Sequence, residues 1–287
     1  MSIERKEKVL VIGLGEVGRP LFELLDESGC FIVHGIDLDE AKMEEVGQHK
    51  KDLTKEVDVM HVCIPCVNQE KFVSTMANYA KQFKPKLVII NSTVTPGTTK
   101  EVSKRCECLV AHSPVRGVHE SLEHMKWELK RWTKYVGGAN AKAGEAACQH
   151  FKKLGLKTKT LKGCAEMELA KLFETTYRAW MVVCFQEMQR ISRHFGAEFD
   201  DVVDFIEDTH RVRFDRPVMF PGVIGGHCLI PNVELLLESY DSEFLKLILK
   251  SNEKRKEEIK EKNVLSEVEK VKKRVVDMAD EAELRSD

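Results

Sequence analysis

No stretch of this sequence approaches the roughly 20 consecutive apolar residues that a bilayer-spanning helix requires, so no membrane span is expected. No N-terminal signal pattern is present, because Ser2 to Lys8 is polar and the apolar run after it has only the length of a strand. Neither sign of charge prevails: 45 Lys and Arg stand against 47 Asp and Glu, for a formal net charge of −2. That balance supplies no global field to draw nucleic acid or a membrane surface. Repeats at solenoid periods are missing as well. Nine cysteines are present, but nothing marks export, so reduced thiols are expected rather than a disulfide framework. Cys63 and Cys66 have no second CxxC beside them and sit where an apolar strand runs out, so they read as structural and no metal is expected. A cytoplasmic enzyme or binding protein is the class left standing.

The 287 residues suffice for two domains of ordinary size, and 43% hydrophobic with 32% charged residues is a globular composition. Apolar runs at Lys8 to Ile12, Phe31 to Ile36, Val57 to Ile64, Leu87 to Asn91 and Cys108 to His112 predict five strands, and Tyr135 with Val136 a sixth. Val17 to Glu27, Asn68 to Phe83 and Ala141 to Lys153 have helical spacing. Strands separated by helices imply right-handed crossovers and an α/β fold with a doubly wound parallel sheet of the Rossmann type. After Leu161 the chain turns helical: Ala165 to Phe195 predicts one long helix and Asp200 to Glu207 another. A loop with Pro217, Pro221, Gly222, Gly225, Gly226 and Pro231 interrupts this region. Beyond Ser251, Lys and Glu dominate around Val264, Leu265, Val268, Val271 and Val275, the pattern of exposed helices with a narrow apolar stripe. The expected domains are a cofactor-binding sheet at 1–162 and an all-helical domain with a charged tail at 163–287.

The first glycine cluster carries the cofactor argument. Val9 to Ile12 leads straight into Gly13-Leu-Gly15-Glu16-Val17-Gly18, and a helix follows. GxGxxG alone is a weak signal; a strand before it and a helix after it make the dinucleotide fingerprint. Gly13 permits the tight turn, Gly15 lets backbone approach a pyrophosphate, and Gly18 lets helix pack on strand. The phosphates would then meet free N–H groups at a helix N-terminus. Asp37 ends the second strand, 19 residues past Gly18. Its carboxylate can hold both ribose hydroxyls and would repel a 2′-phosphate, so NAD is favoured over NADP, with FAD a weaker alternative. Glu16, Val17, Pro65, Ser92 and Thr93 complete the cofactor candidates, the last three at strand ends.

Three later segments belong to the same argument. Asn91-Ser-Thr-Val-Thr-Pro-Gly-Thr-Thr99 follows the fourth strand, Gly163 to Arg178 with Lys171 opens the long helix, and Pro221-Gly-Val-Ile-Gly-Gly-His-Cys228-Leu-Ile-Pro-Asn232 forms a glycine-rich loop. In order and spacing across roughly Lys8 to Asn232, these motifs resemble the UDP-glucose/GDP-mannose dehydrogenase family. The resemblance implies a Rossmann domain followed by a helical domain of the 6-phosphogluconate dehydrogenase type, a homodimer through the helix 165–195, and two NAD-dependent oxidations of a sugar alcohol. It also implies a thiohemiacetal and then a thioester on Cys228, with Lys171 stabilising an oxyanion and Thr93 beside the nicotinamide. His112, Thr175, Arg213, Gly225, Gly226, His227 and Asn232 are the further substrate candidates.

Three positions depart from the family. Thr175 stands where the family has asparagine, Asn232 where it has an aspartate that assists water, and Ser113-Pro-Val-Arg116 where it reads Asn-Pro-Glu. A thioester needs a general base near the attacking water, and two of these changes remove a carboxylate. About 55 residues follow Asn232, so the family's third, nucleotide-binding domain is expected to be missing. Two readings result. One is an NAD-dependent dehydrogenase of a small sugar-like alcohol, performing one two-electron step or two. The other is a non-catalytic NAD(H)-binding protein with an assembly or regulatory role.

Overall fold

The structure, a computed structural model, describes residues 5–48, 56–117 and 119–284. It divides into two compact units, Met1–Lys171 and Leu172–Asp287. The first unit contains β1 (Glu7–Ile12), α1 (Gly18–Glu27), β2 (Phe31–Ile36), α2 (Glu40–Glu44), β3 (Val59–Val62), α3 (Gln69–Phe83) and β4 (Leu87–Ile90). It continues through α4 (Thr98–Arg105), β5 (Leu109–His112), α5 (Leu122–Arg131), β6 (Lys134–Gly138), α6 (Ala141–Lys153) and β7 (Thr158–Thr160). One sheet results, in the order β2-β1-β3-β4-β5-β6-β7.

Alternation along the strands sends side chains to two apolar layers. Val9 and Val11 of β1 join Leu21 and Leu25 of α1, Met125 and Leu129 of α5 and Phe151 of α6 on one face. Leu10 and Ile12 join Phe72, Val73 and Met76 of α3 and Val102 of α4 on the other. A sheet covered on both faces explains why its strands read as continuous apolar runs. Each wholly buried Val or Leu contributes about 1.5–3 kcal/mol.

The expectation of an all-parallel sheet is corrected at one edge. β5 and β6 pair antiparallel, with Ala111 opposite Gly138 and His112 opposite Gly137. Segment 113–133 starts and finishes at the edge where β5 stops: Ser113 Oγ donates to Tyr135 O (2.7 Å), and Lys134 Nζ to Ser113 O (3.0 Å). β6 therefore sets off from that edge and has to run back. The other neighbouring pairs are parallel. Helices α2, α4 and α5 and strand β7 lie in segments whose sequence pattern gave no reading.

The second unit is helical throughout. α7 (Cys164–His194) leads into it, followed by α8 (Phe199–Arg213), α9 (Leu229–Ser239), α10 (Glu243–Glu258) and α11 (Lys262–Leu284). Phe185, Phe199, Val203, Val218 and Val271 form an apolar cluster. The charged tail is anchored to it: Val264, Val268 and Val271 are buried, while Arg274 spans Asp200 (2.8 Å), Asp204 (2.8 Å) and Glu207 (3.2 Å) of α8.

Candidate functional site

The turn after β1 is held by three glycine-specific features. Gly13 adopts φ +86°, and a Cβ there would lie 2.8 Å from the Cys63 carbonyl oxygen. A Cβ on Gly18 would lie 1.7 Å from the Gly13 oxygen, so α1 packs on the turn at a distance that no side chain permits. At Gly15 the same construction meets nothing within 4 Å. The tight positions shape the turn, and the open one leaves room for a ligand. Asp37 reaches back across the turn, accepting from Leu14 N–H at 2.7 Å and from Asp39 N–H at 3.0 Å. Glu16 is exposed and Val17 half-buried as the N-cap of α1. A cavity of about 350 Å³ opens beside this turn, lined by Gly15, Glu16, Arg19, Lys42, His119 and Ser121. These groups fit the pyrophosphate and adenosine end of a dinucleotide: a bare backbone, a helix N-terminus and an acceptor for hydroxyls.

At the carboxyl edge of β3, β4 and β5 the polar residues are locked to one another. Ser92 Oγ donates to Ile64 O (2.5 Å), and His112 Nε2 donates to Ser92 O (2.9 Å). Thr93 is half-buried and Pro65 exposed. His112 is wholly buried, so it acts on the Ser92 backbone rather than facing solvent. Burial is the main cause that lowers its pKa from 6.5 to about 4, with the charges of Lys134 and Lys171 adding to it. Lys134 is buried too, donating to the carbonyls of Ser113 and Pro114, and burial brings its amine down to about 7. Lys171 is half-buried on α7. One turn earlier on that helix, the buried Glu168 carboxylate accepts from Gly97 N–H (2.7 Å) and Thr99 N–H (2.8 Å), capping α4 from outside its own sequence.

A buried string of groups crosses the sheet behind this edge. Asn91 Nδ2 donates to Ser113 O (2.9 Å), so its Oδ1 accepts from His61 Nδ1–H (2.8 Å). His61 Nε2 then accepts from His150 Nε2–H (3.0 Å), and His150 Nδ1 meets Glu7 Oε2 (3.1 Å). Burial holds His61 well below the ordinary histidine range, while the His150 hydrogen bond holds Glu7 down at about 2.

The signs of these shifts set a pH dependence. His112 takes its proton near 6.5 when unfolded and near 4 when folded. Its neutral form therefore contributes stability that is complete above pH 6.5 and lost as pH falls towards 4. Between pH 7 and 5 the loss from this one group is about 2 kcal/mol. Urea unfolding at the two pH values is expected to show His112→Gln losing less stability than the unaltered chain by about that amount. Equal losses in the two proteins would remove His112 from the account.

The glycine loop lies in the second unit. Gly225 and Gly226 are exposed, and a Cβ on either would meet nothing within 4 Å; Gly226 adopts φ +77°. His227 is exposed. Cys228 is half-buried and forms the N-cap of α9, its carbonyl accepting from Asn232 N–H at 3.1 Å. N–H groups in the first turn of a helix have no partner within it, so α9 presents donors beside the thiol. Two of the family departures meet here: Asn232 Nδ2 donates to Thr175 Oγ1 at 2.9 Å, and both residues are buried. Arg213 ends α8, exposed, in a groove with Phe205, Val212 and Arg216. Arg116 is engaged elsewhere, donating to Thr133 O (2.8 Å) with its guanidinium over Trp132.

Comparison with known proteins bears out the family resemblance. Residues 165–254 match the central domain of the UDP-glucose/GDP-mannose dehydrogenase family. The UDP-N-acetyl-D-mannosamine dehydrogenase of Methanocaldococcus jannaschii is 29% identical over 93% of this chain and 68% of its own. The chain spans about two thirds of the length of the curated relatives that it matches. Among solved structures, the UDP-D-ManNAc dehydrogenase of Pyrococcus horikoshii superposes with a TM-score of 0.70 at 22% identity, over 86% of this chain and 68% of that one. A 3-hydroxyisobutyrate dehydrogenase of Mycobacterium tuberculosis gives 0.65 at 14% identity, over 90% and 95%. Both superpositions speak to the fold, a Rossmann sheet followed by helices.

Proposed function

We propose, for a chain whose residues 165–254 match the central domain of the UDP-glucose/GDP-mannose dehydrogenase family, NAD-dependent oxidation of the primary alcohol of a nucleotide sugar, stopping after one two-electron step. The turn at Gly13–Gly18, open at Gly15 and tied to Asp37, supports the oxidoreductase reading. The neutral Thr175–Asn232 hydrogen bond supports the single step, since no carboxylate stands there to activate water on a thioester.

When bound, NAD accepts the hydride from the alcohol carbon. Asp37 is assigned to the ribose hydroxyls, and the first turn of α1 with Gly15 to the pyrophosphate. Thr93 and Ser92, ending β4, and Pro65, following β3, are assigned to the nicotinamide side. Lys171 is assigned the hydroxyl proton as the carbonyl forms. Cys228 is assigned the aldehyde, its sulfur adding to the carbonyl carbon while the oxygen gains a proton, giving a thiohemiacetal. Gly225, Gly226 and His227 bring exposed backbone and an imidazole to the substrate side, and Arg213 offers a cation for a phosphate.

Purified protein supplied with NAD and UDP-N-acetylmannosamine, UDP-glucose or GDP-mannose is expected to form NADH, with one NADH per sugar at completion. Two NADH per sugar would overturn the single step. Tight NAD binding by calorimetry with no NADH from any of these sugars would overturn the enzyme reading in favour of a non-catalytic NAD(H)-binding protein.

A homodimer acting in the cytoplasm completes the reading. Phe173, Tyr177 and Ile191 stand exposed along α7, with Phe195 exposed just past its end, an apolar row that a second copy would cover. No helix among the described residues is long and apolar enough to cross a membrane. Light scattering at twice 32.8 kDa would support the dimer, and a monomer would exclude it.

A further inference from the structure

We propose that Asn252 and Gln186 are positioning residues for the cysteine loop, an inference that rests on the reading of Cys228 given above. Asn252, in α10, treats Ile224 as a neighbouring strand would. Its Oδ1 accepts from Ile224 N–H at 2.7 Å and its Nδ2 donates to Ile224 O at 3.1 Å. Gln186, in α7, donates through Nε2 to Gly222 O at 2.7 Å. Both side chains are buried, Asn252 at 2% exposure and Gln186 at 0%. The loop is thus gripped at two backbone positions, six and four residues ahead of Cys228, by side chains on two different helices.

The grip is itself braced. Ser251 Oγ donates to Gln186 Oε1 at 2.7 Å, which fixes the Gln186 amide with its nitrogen towards Gly222. Arg190 donates to Ser251 Oγ (2.9 Å) and holds Glu258 (2.9 Å), while Arg255 donates to Gln186 O (2.9 Å). Beyond Ile224 the chain changes character. Gly225, Gly226 and His227 are exposed, and order returns at Cys228, where α9 begins and Asn232 binds Thr175. The cysteine stands at the end of a short bare span stretched between two anchors. Ile224 N–H and C=O belong to no helix or strand, so without Asn252 both would be buried unpaired, at about 1–3 kcal/mol each. The local response to such a loss is opening of the span rather than unfolding of the unit.

The test is made on the whole chain. Iodoacetamide labelling of Cys228 is followed by peptide mass spectrometry and divided by labelling of Cys30, an exposed thiol of the other unit. Asn252→Ala is expected to raise this ratio about thirtyfold, the opening expected from two lost buried hydrogen bonds, and to lower kcat with NAD affinity unchanged. Asn252→Asp keeps the acceptor for Ile224 N–H and loses the donor, so an intermediate ratio is expected. Gln186→Ala is expected to act in the same direction as Asn252→Ala. A ratio within about twofold of the unaltered protein in folded Asn252→Ala and Asn252→Asp overturns the proposal, a change too small for a lost buried hydrogen bond. Labelling needs no substrate, so absence of dehydrogenase activity would count against the function while this ratio still decides the grip.

Discussion

Lys171→Ala is expected to slow NADH formation by about 10³-fold, within the range for removal of a positioned acid or base. NAD affinity should stay where it was, because the turn at Gly13–Gly18 and Asp37 are untouched. The residue sits near enough to His112 for its charge to press on that imidazole, so the variant carries a second signature. Without the positive charge, the acid limb of unfolding should move towards lower pH, since folded His112 would accept its proton more readily and lose less stability to acid. Cys228→Ala separates the chemistry further. If the thiol captures the aldehyde, removing it leaves the first hydride transfer in place and releases free aldehyde, which a hydrazine reagent detects. Lys171→Ala turning over within threefold of the unaltered protein would remove the lysine from the reaction, since loss of an acid or base costs about 10² or more.

Gly18→Ala is expected to be the most damaging single methyl in the first unit. Its Cβ would stand 1.7 Å from a carbonyl oxygen, and backbone on both sides has to move. A destabilisation of about 4 kcal/mol or more belongs to this kind of overpacking, and at about 2–4 °C per kcal/mol the melting temperature should drop by roughly 8–16 °C. Gly15→Ala is the contrast. Its Cβ meets nothing within 4 Å, so the melting temperature should hold within about 2 °C, as expected of surface changes of about 0.5 kcal/mol. NAD affinity should nevertheless fall, since the new methyl occupies the approach to the pyrophosphate. Equal melting losses in the two variants would contradict the division of roles between these glycines.

The two variants also show which parts of the molecule a sequence reader could reach. Gly13, Gly15, Gly18 and Asp37 were legible because their roles follow from local backbone geometry and a fixed spacing. Strand ends were legible to within a residue or two, since alternation between two apolar layers leaves a long signal in β1, β2 and β4. The direction of β6 was not legible. It depends on Lys134 and Ser113 meeting at one edge, a contact between residues that no period connects. Glu168, Asn252 and Gln186 read as ordinary helix residues, and their partners lie 28 to 71 positions away. Thr175 and Asn232 were each visible as a departure from the family. That the two departures touch, and so form a single change, required the fold.

The string from Ser113 through Asn91, His61 and His150 to Glu7 has a direction. From His150 through His61 to Asn91, each group gives its hydrogen towards one end because the next has already been told which way to face, beginning with a main-chain oxygen that can only receive. Such a row behaves as a sentence with one grammatical order: no member can turn round unless all do, and the carbonyl at its head forbids that. His61 is thereby held in one tautomer, its hydrogen on Nδ1, and the pattern runs from the end of β4 through β3 to helix α6. Nitrogen-15 spectra of His61 should accordingly show one neutral tautomer, protonated at Nδ1, across neutral pH. Asn91→Leu, which silences the first word, should let His61 mix its tautomers while the backbone of the sheet remains as it is.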